Sequence, residues 1–234
     1  MSWSSAIGRV ALVGAKDWFI CYADSEVSSL LAARPELDRA ATDGLVRRLF
    51  ANHSVIADED GTLAEDANPV DDMVYAAVWP GAAIVCTAAV AIDRPSQLDA
   101  RFLAEGIGRT VYVHAMHSVV DWVALGVWGP DGELKRALSV SGGNAELIED
   151  IGEHLAFEEP FWAGEFPATE DDEEYPFPFH PLELSEAALD SLFGFVFEGY
   201  TGRLAGDFVD PFEVTLAGFR LTESTGKRRL FGRR

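Results

Sequence analysis

Gly108 to Val140, GRTVYVHAMHSVVDWVALGVWGPDGELKRALSV, carries the plainest strand signal of the chain. Between Thr110 and Ala115, Val111, Val113 and Ala115 alternate with Tyr112 and His114, the period of two expected of a strand with both faces covered. Val119 to Trp128 follows as an apolar run of strand length, rich in β-branched and aromatic residues and interrupted only by Asp121. Gly129, Pro130, Asp131 and Gly132 supply turn chemistry. Beyond them Leu134, Arg136, Leu138 and Val140 alternate with Lys135, Ala137 and Ser139. Three consecutive strands joined by short turns make an antiparallel meander.

The flanking sequence adds strands upstream and helices on both sides. Met73 to Trp79 and Ala83 to Ala91 are strand-like runs joined by Pro80 and Gly81, which predicts a hairpin, and Asp17 to Ala23 reads as a buried strand. Asp24 or Ser25 caps a short helix with Val27, Leu30 and Leu31 on one face, stopped by Pro35. Thr42 caps a second over Asp43 to Phe50. Residues 52 to 72 are polar, acidic and turn-rich and read as a loop, and residues 92 to 107 as an irregular crossover with a helical turn near Leu98 to Leu103. Downstream, Asn144 is placed to cap a helix carrying Leu147, Ile148, Ile151 and Leu155. Ser185 is placed to cap another, with Leu184 and Leu189 as a hydrophobic staple. Asp210 as cap, Pro211 at the first helical position and Gly218 at the end predict a last short helix. Short helices with apolar stripes need a surface to cover. The expected fold is therefore α+β, a mainly antiparallel sheet of at least five strands covered by short helices, in one domain over residues 1–224 with a basic tail at 225–234.

Composition narrows the classes of partner. With 48% hydrophobic and 24% charged residues the chain has a globular composition, long enough at 234 residues to bury a core. A formal charge of -21 repels phosphate backbones and anionic lipid surfaces, so nucleic acid and membrane are not expected partners. The charge is uneven, with 17 acidic and 2 basic residues over 151–224 and 5 basic residues in the tail TGKRRLFGRR. Arg9 splits the only apolar stretch near the N-terminus, so no signal peptide is read there and a cytoplasmic location is expected. Cys21 and Cys86 lie in the apolar runs WFICYA and AIVCTAAVA, which predicts inert buried thiols.

Established catalytic signatures are missing. There is no G-x-G-x-x-G, no phosphate-binding loop, no G-x-S-x-G elbow, and DEDGT at 58–62 lacks the ligand count of a calcium loop. No cofactor is indicated. The remaining cluster is HAMHSVVDW, where His114, His117, Asp121 and Trp122 lie within nine residues. Imidazole and carboxylate are ligands of catalytic zinc and non-haem iron, and a His with an Asp also serves as an acid-base pair. Strand geometry opposes convergence, because residues three apart face opposite sides; His114 and His117 meet only if the turn lies at 116–119. The alternative is that His114 and Asp121 are hydrogen-bonded polar residues of the sheet. Glu149, Asp150, Glu153 and His154 form a second acidic group, read as a solvated helix face. Trp162 and His180, set among Phe161, Phe177 and Phe179, read as aromatic packing beneath a loop.

The phrases GAKDWFICYADSEV, IDRPSQLDARFL, GRTVYVHAMHSVVDWVALGVW, IEDIGEHLAFEEPFWAGE and YPFPFHPLELSEAALDSLFGF resemble, in this order, a family of uncharacterised actinobacterial proteins catalogued as a domain of unknown function. The resemblance spans roughly residues 14–220, implies one domain, and brings no activity or site residue with it. Two functional readings stand. One is a non-enzymatic regulatory or interaction module that binds a protein partner through its acidic, aromatic-bearing surface. The other is a metal-dependent hydrolase or small-molecule binder built on His114, His117 and Asp121. A homodimer through an exposed sheet edge is compatible with either.

Overall fold

A computed structural model describes residues 16–168, 175–198 and 208–223. The acidic run 170–174, the N-terminal stretch and the basic tail lie outside the described residues. The fold is α+β, built on one antiparallel sheet of ten strands. The strands are β1 (Lys16–Ala23), β2 (His53–Ala57), β3 (Gly61–Thr62), β4 (Met73–Trp79), β5 (Ala82–Cys86), β6 (Thr110–His117), β7 (Trp122–Trp128), β8 (Leu134–Ser141), β9 (Glu146–Gly152) and β10 (Thr215–Glu223). Their order across the sheet is β2-β10-β4-β5-β1-β6-β7-β8-β9, with β3 also paired to β10. The meander is β6-β7-β8, as its alternation and turn residues require. Beside it β1 pairs with β6 and β5, so the first described strand lies in the middle of the sheet.

Among the described residues six short helices cover the two faces: α1 (Val27–Ala32), α2 (Arg39–Leu49), α3 (Leu63–Asp66), α4 (Ala100–Glu105), α5 (Glu159–Trp162) and α6 (Pro181–Phe193). Alternation along β1 divides the core. Phe19, Cys21 and Ala23 pack with Val27, Leu31, Leu189 and Phe193 under α1 and α6, whereas Ile20 and Tyr22 pack with Leu45, Val46, Leu49 and Phe102 under α2 and α4. Farther along the first face, Val123, Leu125, Leu138 and Val140 meet Phe161, Phe179 and Leu184. Burial on both faces explains the almost unbroken apolar sequence of β5, since each fully buried Val, Leu, Ile or Phe contributes about 1.5–3 kcal/mol. Cys21 and Cys86 are buried free thiols, and burial raises both far above the ordinary thiol range.

Several segments differ from the sequence reading. Residues 52–72 hold β2, β3 and α3, the last capped by the Thr62 hydroxyl, which accepts from Glu65 N. The helix expected after Asn144 is the edge strand β9. Its aliphatics Leu147 and Ile151 are exposed and its Glu149 is buried, the reverse of the usual polarity. Asp210 and Pro211 make a single turn, with Phe212 N bonded to the Asp210 carboxylate, before β10 begins. Gly218 lies within that strand because a Cβ there would come within 2.0 Å of the Glu59 carbonyl oxygen. The α2 helix starts earlier than expected, capped by Asp38 and not Thr42. Thr42 is buried and ties the helix to β4 by accepting from Val78 N. His180, not Ser185, caps α6, and Ser185 lies inside that helix with Leu184, Leu189 and Phe193 buried around it. No helix among the described residues is long and apolar enough to cross a membrane.

Candidate functional site

The β6-β7 connection is a single 3-10 turn, Ser118–Val120, closed by Asp121 in the left-handed region at φ 47°. Because the strand stays regular through His117, His114 and His117 point to opposite faces. His114 projects toward α6. There its Nδ1 lies 2.6 Å from Asp17 Oδ1 and its Nε2 lies 3.1 Å from Ser185 Oγ, with the ring stacked on Phe19. All three polar residues are 0% exposed. The order carboxylate, imidazole, hydroxyl is that of a serine nucleophile with its base and orienting acid. Here it is sealed inside the core and the serine is on a helix, not at a strand-to-helix elbow. In this conformation the connection fastens α6 to β1 and β6. Asp17 Oδ2 has no hydrogen-bond partner among the described residues.

The other residues of the cluster are separated from His114; His117 and Trp122 are opposite each other across β6 and β7, beside the turn that holds Asp121. His117 faces the opposite layer, where burial and the neighbouring Lys16 push its pKa below the usual value. Asp121 Oδ1 lies 3.8 Å from Nε2 of His180. The His180 Nδ1 accepts from Leu182 N, which assigns the ring proton to Nε2, on the side of Asp121. Tyr175 stacks on His180, and burial together with Asp121 raises its phenol. Trp122 donates from Nε1 to Ser139 Oγ at 3.2 Å. Among the described residues no group of three or more His, Cys, Asp and Glu side chains is placed to hold a metal ion.

Of the second acidic group only Asp150 and His154 stay together, 3.9 Å apart. Glu149 accepts from both the backbone N and the hydroxyl of Ser96, pinning the 95–97 turn to the edge of the sheet. Asp150 pairs with Arg136, a fully buried arginine whose guanidinium also bonds both oxygens of the equally buried Glu158. Trp162 meets Phe179 edge-on at 4.9 Å and stacks with His154 at 5.0 Å, so the aromatic loop packs upon itself. Asp17, Ser185, Arg136 and Glu158 went unread as partners in the sequence. Asp17 and His114 are 97 residues apart, and no local spacing marks such a pair.

A cleft of about 450 Å³ opens on the α1 side, between the α1-α2 connection and residues 208–215. Leu31, Leu37, Trp79, Val209 and Val214 form an apolar floor, and Arg34, Glu36, Arg39, Asp210 and Glu213 surround it. Arg34, held at φ 49°, reaches Glu213 at 2.6 Å, and Arg39 binds Asp60 through both guanidinium nitrogens. Both cations are thus already paired. Glu36 and Asp210 make no ion pair among the described residues, which leaves the mouth with an excess of negative charge.

No curated protein and no solved structure matches the chain. A family model described as a family of unknown function (DUF6928) matches residues 17–219. With nearly the whole length covered, the chain belongs to that family.

Proposed function

We propose that this protein is a non-enzymatic interaction module whose cleft beside α1 receives a cationic protein segment anchored by an apolar side chain. The observation that carries the reading is the mouth of the cleft. An apolar floor including Trp79 lies beneath two internally paired arginines and two carboxylates, Glu36 and Asp210, that make no ion pair among the described residues, on a chain of formal charge -21. Apolar anchors in pockets supply affinity, while surface charge sets the choice of partner and the rate of encounter. The alternative of a metal-dependent hydrolase or small-molecule binder at His114, His117 and Asp121 has less support, because His114 and His117 face opposite sides of the sheet and no metal-holding group of side chains is found among the described residues.

Calorimetric titration with two synthetic hexapeptides tests this reading. The probe KRLFRK is expected to bind, and its counterpart with every basic residue replaced by Glu is not. Glu36→Lys and Glu213→Lys should each weaken KRLFRK at least fivefold and remove much of its salt dependence. Equal binding of the two peptides, or binding indifferent to both substitutions, rules the reading out.

A further inference from the structure

We propose that β2 is an interface between two copies of this chain, paired antiparallel about a two-fold axis at Val55 so that the sheet continues through the dimer. The hydrogen bonding of the neighbouring strand decides which groups are free. Leu221 N donates to Asp72 O at 2.7 Å, and Asp58 N donates to Gly218 O at 2.8 Å. The N–H and C=O of one antiparallel residue point to the same side. Leu221 and Phe219 therefore address β4, whereas Gly218, Arg220 and Thr222 address β2. In this register Leu221 is opposite Val55 and Phe219 is opposite Ala57. Ser54, Ile56 and Asp58 consequently turn their backbone groups inward to β10; those of Val55 and Ala57 and the His53 carbonyl project from the open edge, the His53 N–H being held by Phe50 O at 2.9 Å.

The two edges of the sheet differ in how they are protected. Sheets guard exposed edges with charges, prolines or bulges. At β9 there are Glu146, Glu149 and Asp150 and a register shift against β8 between Ser139 and Val140. Over its five residues, HSVIA, β2 has no charged side chain if His53 is neutral, no proline and no shift against β10. Ile56, at its solvent side, is 53% exposed.

The choice of a second copy as occupant follows from the register. A two-fold axis through Val55 lets Val55 exchange its backbone bonds with its own symmetry mate and sets the Ala57 N–H of each copy opposite the His53 carbonyl of the other, giving four interchain bonds, while each His53 N–H stays with Phe50 O. Ser54 then faces Ile56, and the two Ile56 side chains meet diagonally across the axis. Before His53 the chain turns back through Phe50–Asn52, so the paired strip ends there. No like charges oppose one another. The same operation about the middle of β9 would set Glu149 against Glu149. Repulsion between two acidic bodies is screened beyond about 8 Å at physiological salt, so the contact strip itself decides the association.

Sedimentation velocity on the full chain over a concentration series tests the assignment. Wild type is expected to sediment as a dimer, more completely as salt rises. Ala57→Pro removes an edge N–H that serves no bond among the described residues, and Ile56→Lys brings two charges together near the axis. Each should halve the mass while circular dichroism stays unchanged. Ile151→Lys on β9 should leave the dimer intact. A monomer at every concentration, a dimer that survives both β2 substitutions, or one dissolved by Ile151→Lys would overturn the assignment.

Discussion

Two buried polar networks fasten loops and helices to the same face of the sheet, and they are completed to different degrees. Around Arg136, every guanidinium nitrogen has an acceptor. Glu158 in turn accepts from Arg136, Leu155 N and Trp162 Nε1, so both its oxygens are bonded. Around His114 the chain from Asp17 to Ser185 has two bonds and one loose end, Asp17 Oδ2. A fully satisfied network rigidifies its surroundings, and an unsatisfied atom leaves part of the desolvation cost uncompensated. The first network therefore acts as a rivet for the segment 155–162. The second is a weaker latch for α6.

The largest expected effect comes from opening the rivet. Glu158→Ala leaves a buried guanidinium with only Asp150 and backbone carbonyls, and should cost about 3–5 kcal/mol in denaturant unfolding. Adding Arg136→Met should recover most of that loss, since an apolar replacement for the pair has no charge to bury. A cost under about 1 kcal/mol for Glu158→Ala would mean that water reaches the pair and that the rivet is an ordinary surface contact. For the latch, His114→Ala should cost about 2–4 kcal/mol, from the cavity and from the stranded Asp17 carboxylate. Ser185→Ala, which removes a single hydroxyl from the far end, should cost about 1 kcal/mol. The same unfolding curves decide the order; a Ser185→Ala loss equal to that of His114→Ala would show that the hydroxyl, not the carboxylate, holds α6.

The sheet was legible in the sequence where strands are buried on both faces and joined by Gly and Pro turns, as in β6, β7 and β8. The two downstream strands were not. At β9 a buried acid and two exposed aliphatics mimic the spacing of an amphipathic helix, because an edge strand beside a bulge obeys neither period. At β10 the pair Asp210-Pro211 starts one turn that goes no further, and Gly218 marks a close backbone approach, not a helix end. The latch was half legible. His114 stood out as a histidine in an apolar strand, and strand geometry already set it opposite His117. Its partners come from a strand 97 residues earlier and a helix 71 residues later, and only the packing of β1 beside β6 under α6 brings them together.

The finest distinction concerns the charged groups nearest each network. Burial opposes the charge of Arg136, but Glu158 and Asp150 more than offset it and raise its pKa, so the guanidinium keeps its charge throughout the neutral range. Beside the latch, on the next residue of α6, burial lifts the Glu186 carboxyl to about 8, reinforced by Asp17 and Glu198 and opposed by the amides of Phe197 and Glu198 that it accepts from. A carboxyl whose folded pKa lies above its unfolded value keeps its proton only in the folded state between the two, here from about 4.5 up to about 8. The folded state binds the extra proton, so this contribution to stability is full below that window and is lost as pH rises through it, at no more than about 1.4 kcal/mol per pH unit. Unfolding measured from pH 5 to pH 8 should therefore show a falling stability in wild type and a shallower fall in Glu186→Gln, which has no proton to lose. The slope is the readout, because Gln meets the two amides differently from a carboxyl and shifts the whole curve. Parallel slopes in the two proteins would place the Glu186 titration outside the window.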